Sequence, residues 1–394
     1  MYRIWLIVIA VIVYGSLYPW DFHSRQLPAS PPWILIHAWP PVIDRDAVQD
    51  AAVNVVIYIP LGLFGFLALR RNMQALSAVA LTVMIGLVIC CSMEMIQLFI
   101  PERECDAADA TCNVIGTAIG AGLGFLYQRW LGWLEEHGKD ARFLRLSGTV
   151  LLIYAWIAYQ MFPFIPVPSR TRLTDKLDGV FAVHSISRLE MLTCFVEWLV
   201  LAQLLALLIG NERVRRFFPL LLLVLPARIL LVGRTVTWSE VGGAIAGCIG
   251  VYVLTKDDVA QSGKVSLLAG LMILVIVLRG LAPYNWSSIG QPFEWMPFNL
   301  TLALDREVAM LVFLRKCFWY GSVVWLLRAA GWRLWVAASA IALLLCVIEI
   351  SHLHIVGRTA ETTDPLLALI LAAVFGSLEK PGNASGELCA QTQC

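Results

Sequence analysis

The chain has 394 residues, 59% of them hydrophobic and 14% charged, with a formal net charge of +1 and a mean hydropathy of +0.75. These values exclude a water-soluble globular domain and identify a polytopic membrane protein, because apolar runs of membrane-spanning length recur along the chain. The near-neutral charge offers no basic surface for nucleic acid, and the ten cysteines lack the CxxC or Cys/His spacing that holds a metal.

In chain order the apolar runs predict an all-α protein with twelve helices, roughly at 3–18, 50–69, 76–100, 109–129, 147–162, 190–209, 217–232, 238–255, 265–282, 307–328, 333–353 and 364–378. The first run resembles a signal peptide, but no small-x-small site follows it, and its exit sequence Leu17-Tyr-Pro-Trp-Asp-Phe22 recurs as Met161-Phe-Pro-Phe-Ile-Pro166 and Leu281-Ala-Pro-Tyr-Asn-Trp286. It is therefore expected to stay. The aromatics after each proline fit the interfacial belt.

A slide of 255 residues lays Glu349, His352, Arg358, Glu361 and Asp364 on Glu94, Gln97, Arg103, Asp106 and Asp109, and a slide of 131 lays Arg234, Glu240 and Gly247 on Arg103, Asp109 and Gly116. Three tandem four-helix units are expected, at 1–130, 147–255 and 265–379, followed by a disordered tail at 380–394. An even number of helices per unit makes the repeats parallel. The density of basic residues favours a cytoplasmic amino terminus, with the motif loops facing out. The outer segments 21–49, 163–189 and 283–306 carry Trp33, Trp39, Phe293, Trp295 and Phe298 and read as pieces lying along the membrane surface, while 130–146 and 256–264 read as linkers.

Chemistry concentrates between Glu94 and Gly124. Ionisable groups near hydrocarbon are costly unless they are paired, hydrated or functional. Glu94 and Gln97 are three apart, Asp109 and Asn113 four apart, and Asp50 and Asn54 four apart, so each pair shares one helix face. Pro60 frees a carbonyl inside its helix. At 1.5 Å per residue, Asn54, Glu94 and Asn113 reach similar depths and could share an outward-facing pocket with Gln97, Arg103, Asp106 and Asp109. Asp364 precedes Pro365 and so reads as a helix N-cap, and by the slide so does Asp109. Arg103, Arg234 and Arg358 follow outgoing helices, where a guanidinium could grip a neighbouring carboxylate or a lipid phosphate. The later units can neutralise their acids internally (Glu197 and Arg228 both inside helices of the second, Arg315 and Lys316 near the level of Glu349 in the third), whereas the first surrounds Glu94 with the amides Asn54, Gln97 and Asn113.

The motifs Asn54-Val-Val-Ile-Tyr-Ile-Pro60-Leu-Gly62, Ser92-Met-Glu94-Met-Ile-Gln97 through Arg103, and Asp106, Asp109 and Asn113-Val-Ile-Gly116 resemble the VanZ-like family of bacterial membrane proteins over about residues 14–128. The last unit matches in part and the middle one faintly. The resemblance implies an envelope role in a bacterial inner membrane and an association with teicoplanin susceptibility, without supplying a reaction or a cofactor. Members are often a single four-helix unit, and the later copies here lose Asn113 and Gln97. Three readings follow: a non-enzymatic protein that binds or passes a polar group of a lipid-linked glycan or membrane lipid; an intramembrane hydrolase or transferase using Glu94, Asp106 or Asp109 as general acid or base; and a scaffold whose charges hold helices together. No metal set, nucleophile motif or nucleotide loop supports the second.

Overall fold

The computed structural model describes residues 1–39, 45–137, 147–166, 186–255, 261–304 and 306–378. The 380–394 tail, the side chain of Asp50 and most of the two linkers lie outside the described residues. The architecture is all-α, with one two-stranded element among the described residues. Among the described residues six helices are long and apolar enough to cross a membrane, and five more are apolar but run to only 10–17 residues. The chain divides into two compact units, Met1–Arg145 and Leu146–Cys394.

The first unit contains α1 (Tyr2–Ser16), α2 (Pro31–His37), α3 (Arg45–Leu69), α4 (Ala75–Gln97) and α5 (Ala107–Glu136). Pro31 and Pro32 open the short α2, since proline fits the first helical turn, where no N–H is required. Helix α3 runs unbroken through Pro60. Its main partner is α5, and glycine sets how closely they approach. A Cβ on Gly62 would lie 1.9 Å from the Thr117 carbonyl oxygen, one on Gly116 2.3 Å from that of Val55, and one on Gly120 2.0 Å from that of Ile59. Gly116, Gly120 and Gly124 recur every four residues, a small-residue stripe that lets two backbones meet where hydrocarbon gives no hydrophobic drive to helix association. Contacts of Gly116 with Val55 and of Gly120 with Ile59 step in the same direction along both helices, so α3 and α5 run parallel.

The second unit contains α6 (Gly148–Met161), α7 (Arg188–Ile209), α8 (Asn211–Phe217), a 3-10 turn (Phe218–Leu223), α9 (Val224–Ile229), α10 (Trp238–Leu254), α11 (Gln261–Leu281), β1 (Phe293–Glu294), α12 (Asn299–Ala303), α13 (Arg306–Ala329), α14 (Leu334–His352), β2 (Ala360–Glu361) and α15 (Thr363–Leu378). The single helix expected at 217–232 is broken into α8, the 3-10 turn and α9. Pro219 and Pro226 lie in that stretch, and each removes a backbone donor and crowds the preceding turn. Helices α7 and α10 pack through glycine again, with a Cβ on Gly243 placed 2.5 Å from the Met191 carbonyl oxygen. Trp156, Trp198, Phe218 and Phe318 fill the core. Strands β1 and β2 pair in parallel, Phe293 against Ala360 and Glu294 against Glu361. That pairing ties the 283–304 segment to the start of α15, where the Phe298 N–H also donates to Thr363 Oγ1 at 2.6 Å.

Candidate functional site

Each of three helices, α1, α6 and α11, ends in a turn closed by a backbone bond: Trp20 N–H to the Leu17 carbonyl at 2.8 Å, Phe164 to Met161 at 2.8 Å and Tyr284 to Leu281 at 2.9 Å. The following loop is then stitched to a later helix exit. His23 N–H donates to the Phe99 carbonyl at 2.8 Å and Ser287 N–H to that of His354 at 2.7 Å.

The three arginines meet these turns in the same way. Arg103 Nε donates to the Tyr18 carbonyl at 3.0 Å, and Arg358 donates from Nε to Ala282 at 2.7 Å and from Nη2 to Arg279 at 2.8 Å. Arg234 Nη2 donates to the Tyr159 carbonyl at 3.1 Å and its guanidinium lies 5.5 Å from that ring. A helix end leaves carbonyls without intrahelical partners and carries partial negative charge, so a cation is stabilised there. Each of these arginines thus donates to a backbone carbonyl at a helix exit. Burial and the neighbouring Arg228 lower the pKa of Arg234 from its usual value.

The corner of the first unit is built at the α4–α5 turn. Asp106 is the N-cap of α5: its Oδ1 accepts from Ala108 N–H at 2.7 Å. The cap expected at Asp109 therefore falls one turn earlier, and Asp109 lies inside the first turn, where the helix dipole still favours a carboxylate. Asp364 is likewise inside α15 rather than capping it. The Asp106 N–H in turn donates to Glu94 Oε2 at 2.9 Å, and Glu94 is only 4% exposed, turned inward rather than towards lipid. Glu361 N–H donates to Glu349 Oε2 at 2.9 Å in the corresponding place. Around Glu240 the equivalent donor, Thr237 N–H, is met within one turn by a capping box: Glu240 Oε2 accepts from it at 3.0 Å while Thr237 Oγ1 accepts from Glu240 N–H at 3.1 Å. One orphan donor is thus satisfied by a carboxylate each time, twice from the preceding helix.

The surroundings of the three carboxylates differ. Glu240 is paired with Arg228 at 2.9 Å. Asp364 receives Lys316 Nζ and the Tyr320 hydroxyl, Glu361 lies 3.8 Å from Lys316, and Glu349 holds His352 Nδ1 at 3.1 Å, whose Nε2 meets the Gly280 carbonyl at 2.8 Å. Glu94, by contrast, faces two further carboxylates, Asp109 and Asp106, and one cation, Arg103. Gln97 is committed to the Ser16 carbonyl at 2.8 Å. The two asparagines stand otherwise: Asn54 Nδ2 and Asn113 Oδ1 are buried with no hydrogen-bond partner among the described residues. They sit at one level of the α3–α5 contact, Asn54 just before Val55 and Asn113 one turn before Gly116. A buried, unpaired amide donor or acceptor costs about 1–3 kcal/mol.

Tyr58, on α3 one turn beyond Asn54, is 3% exposed and faces Glu94 and Asp109. The sequence reading passed it over, although its i+4 spacing from Asn54 places it on the same helix face. The glycine stripe that sets the α3–α5 distance was also missed, and its four-residue period was the available signal.

No curated protein and no solved structure matches the chain. Residues 3–128 match the VanZ/LLP1 family, so this segment, which contains the whole of the Glu94 corner, is a VanZ-like domain.

Proposed function

We propose that the Glu94 corner binds a polar, hydroxyl- or amine-bearing group of a lipid-linked glycan or similar envelope compound, and that the protein carries out this role in a bacterial inner membrane. The reading includes a twelve-span topology with a cytoplasmic amino terminus, built from three parallel four-helix units at 1–130, 147–255 and 265–379. The matched arginine-to-carbonyl and carboxylate-to-N–H bonds support the repeat. The observation that carries the binding role is the pair of unsatisfied buried amide atoms, Asn54 Nδ2 on α3 and Asn113 Oδ1 on α5, the latter one turn beyond Asp109. A ligand presenting both an acceptor and hydroxyl or ammonium donors would satisfy them together. The corners around Glu240 and Glu349 are matched internally by Arg228, Lys316 and His352, so they serve as structural counterparts.

The test is mass spectrometry of the compounds retained by the purified full chain. Wild type is expected to retain a glycan-bearing lipid. Asn113→Leu should reduce that retention by about tenfold, the effect of losing one hydrogen bond of about 1.5 kcal/mol. Its thermal midpoint should hold or rise, because leucine removes a buried unpaired carbonyl. Glu94→Gln keeps an acceptor for the Asp106 N–H and so should also spare the fold while weakening binding. Retention unchanged in both variants would remove the proposal. The association with glycopeptides is tested separately by comparing teicoplanin susceptibility of cells carrying wild type or Glu94→Gln.

A further inference from the structure

A second polar site lies within the Leu146–Cys394 unit, away from the Glu94 corner. A partly open cavity of about 80 Å³ is lined by α6, α7, α9, α10, α11 and α13, room for several waters at about 10–15 Å³ each. Three guanidiniums, Arg228, Arg279 and Arg315, and three carboxylates, Glu190, Glu197 and Glu240, line it. Arg228 and Glu240 hold each other. Arg279 Nε donates to Thr193 Oγ1 at 3.0 Å, and Arg315 lies 5.3 Å from the Trp319 ring, whose Nε1 donates to Glu197. Two atoms of the lining have no hydrogen-bond partner among the described residues: the donor Arg228 Nε and the acceptor Gln160 Oε1. Both residues are more than nine-tenths buried, at 6% and 4% exposure.

We infer that this cavity binds a small zwitterion joining a primary ammonium to a phosphate, the chemistry shared by an ethanolamine-phosphate lipid headgroup and by its free form. Charge balance comes first. Lining cations and anions are equal in number, so a net-neutral ligand enters without leaving an uncompensated buried charge, whereas a bare phosphate or a bare amine would leave one. The two orphans then require opposite things of the same ligand. Arg228 Nε needs an anionic acceptor, which guanidiniums bind well as phosphate, and Gln160 Oε1 needs an N–H donor. Position agrees with a headgroup: Glu190 and Glu240 lie in the first turns of α7 and α10, and Arg228 and Arg279 in the last turns of α9 and α11. These residues place one side of the cavity at helix ends, while Glu197, Arg315 and Trp319, inside their helices, line the rest. This inference is independent of the reading of the Glu94 corner.

The test places the full chain in nanodiscs containing phosphatidylethanolamine, phosphatidylcholine and phosphatidylglycerol in equal amounts and counts retained lipids by native mass spectrometry. Phosphatidylethanolamine should be retained about tenfold over the other two: the choline ammonium has no N–H for Gln160, and glycerol carries no positive charge. Arg279→Gln and Arg315→Gln should abolish the preference. Should either variant fail to fold, Gln160→Met, uncharged and of similar volume, should lower retention of phosphatidylethanolamine to the level of phosphatidylcholine. Radiolabelled free phosphoethanolamine distinguishes the sources: binding of the free compound without lipid preference assigns the site to a soluble ligand, and lipid preference without free binding assigns it to the headgroup. Neither preference nor free binding, or the same retention in wild type and Gln160→Met, overturns the inference.

Discussion

Replacing Gly120 by alanine tests the contact that positions the first corner. The added methyl would sit 2.0 Å from the Ile59 carbonyl oxygen and 2.9 Å from Leu63 N, while ordinary contact begins at 3.4 Å. Both obstacles are backbone, so no side chain can swing aside, and α3 and α5 must part by about 1.4 Å along their main interface. A radial gap of about 0.5–1 Å already forfeits a quarter to a half of each dispersion well, and overpacking itself costs about 1–3 kcal/mol. The total falls at or above the upper end of that range, a fall in thermal midpoint of roughly 6–12 °C at about 2–4 °C per kcal/mol. Gly122→Ala is the control on the same helix, since nothing lies within 4 Å of its Cβ position, and alanine favours the helix by about 0.8–1 kcal/mol. Thermal unfolding of the purified full chain, followed by tryptophan fluorescence, reads both variants. If Gly120→Ala melted with Gly122→Ala, the close α3–α5 contact would be refuted, and with it the common level of Asn54 and Asn113.

Arg358→Met leaves the Ala282 and Arg279 carbonyls without their charged donor, and at about 1.5–3 kcal/mol per charge-assisted bond it should lower the chemical-denaturation midpoint clearly, whereas Arg358→Lys should recover only part. Thr237→Ala removes half of the α10 capping box and should cost about 1 kcal/mol in the same assay. Burial holds the Glu361 carboxyl above its ordinary range, against the opposing pull of Lys316. An acid whose folded-state value is raised contributes stability that is present at low pH and lost as pH rises through that value, so Glu361→Gln should flatten this decline in a pH series of melting curves. A decline of the same size in the variant would refute the assignment.

The helices were legible because their apolar runs are long and uninterrupted: eleven of the twelve expected helices appear as continuous α-helices close to their expected bounds, and six of the described helices are long and apolar enough to cross a membrane. The exception, 217–232, contains Pro219 and Pro226, and hydropathy alone does not register a missing N–H. The corner was legible as a set of residues because carboxylates are conspicuous among apolar side chains. Its internal wiring was not. The Asp109 cap misled because the α5 helix starts one turn earlier, and the displaced residue is still acidic. Arg103, Arg234 and Arg358 align in sequence, but their acceptors are backbone carbonyls of a helix far upstream, and carbonyls leave no mark in a sequence. The cavity holding Arg279 and Arg315 stayed hidden for a related reason: its residues come from six elements and share no spacing.

The most direct test of the binding corner is photocrosslinking from its rim. Cys105 is half-buried and directly precedes Asp106, whose N–H donates to Glu94, so a photoreactive benzoylphenylalanine at this position reports on whatever occupies the corner. Irradiation of intact cells followed by mass spectrometry of the purified chain should yield an adduct with the mass of a glycan-bearing lipid, lost in the Asn113→Leu background. Adducts to acyl chains alone, or the same adduct in both backgrounds, would contradict the account.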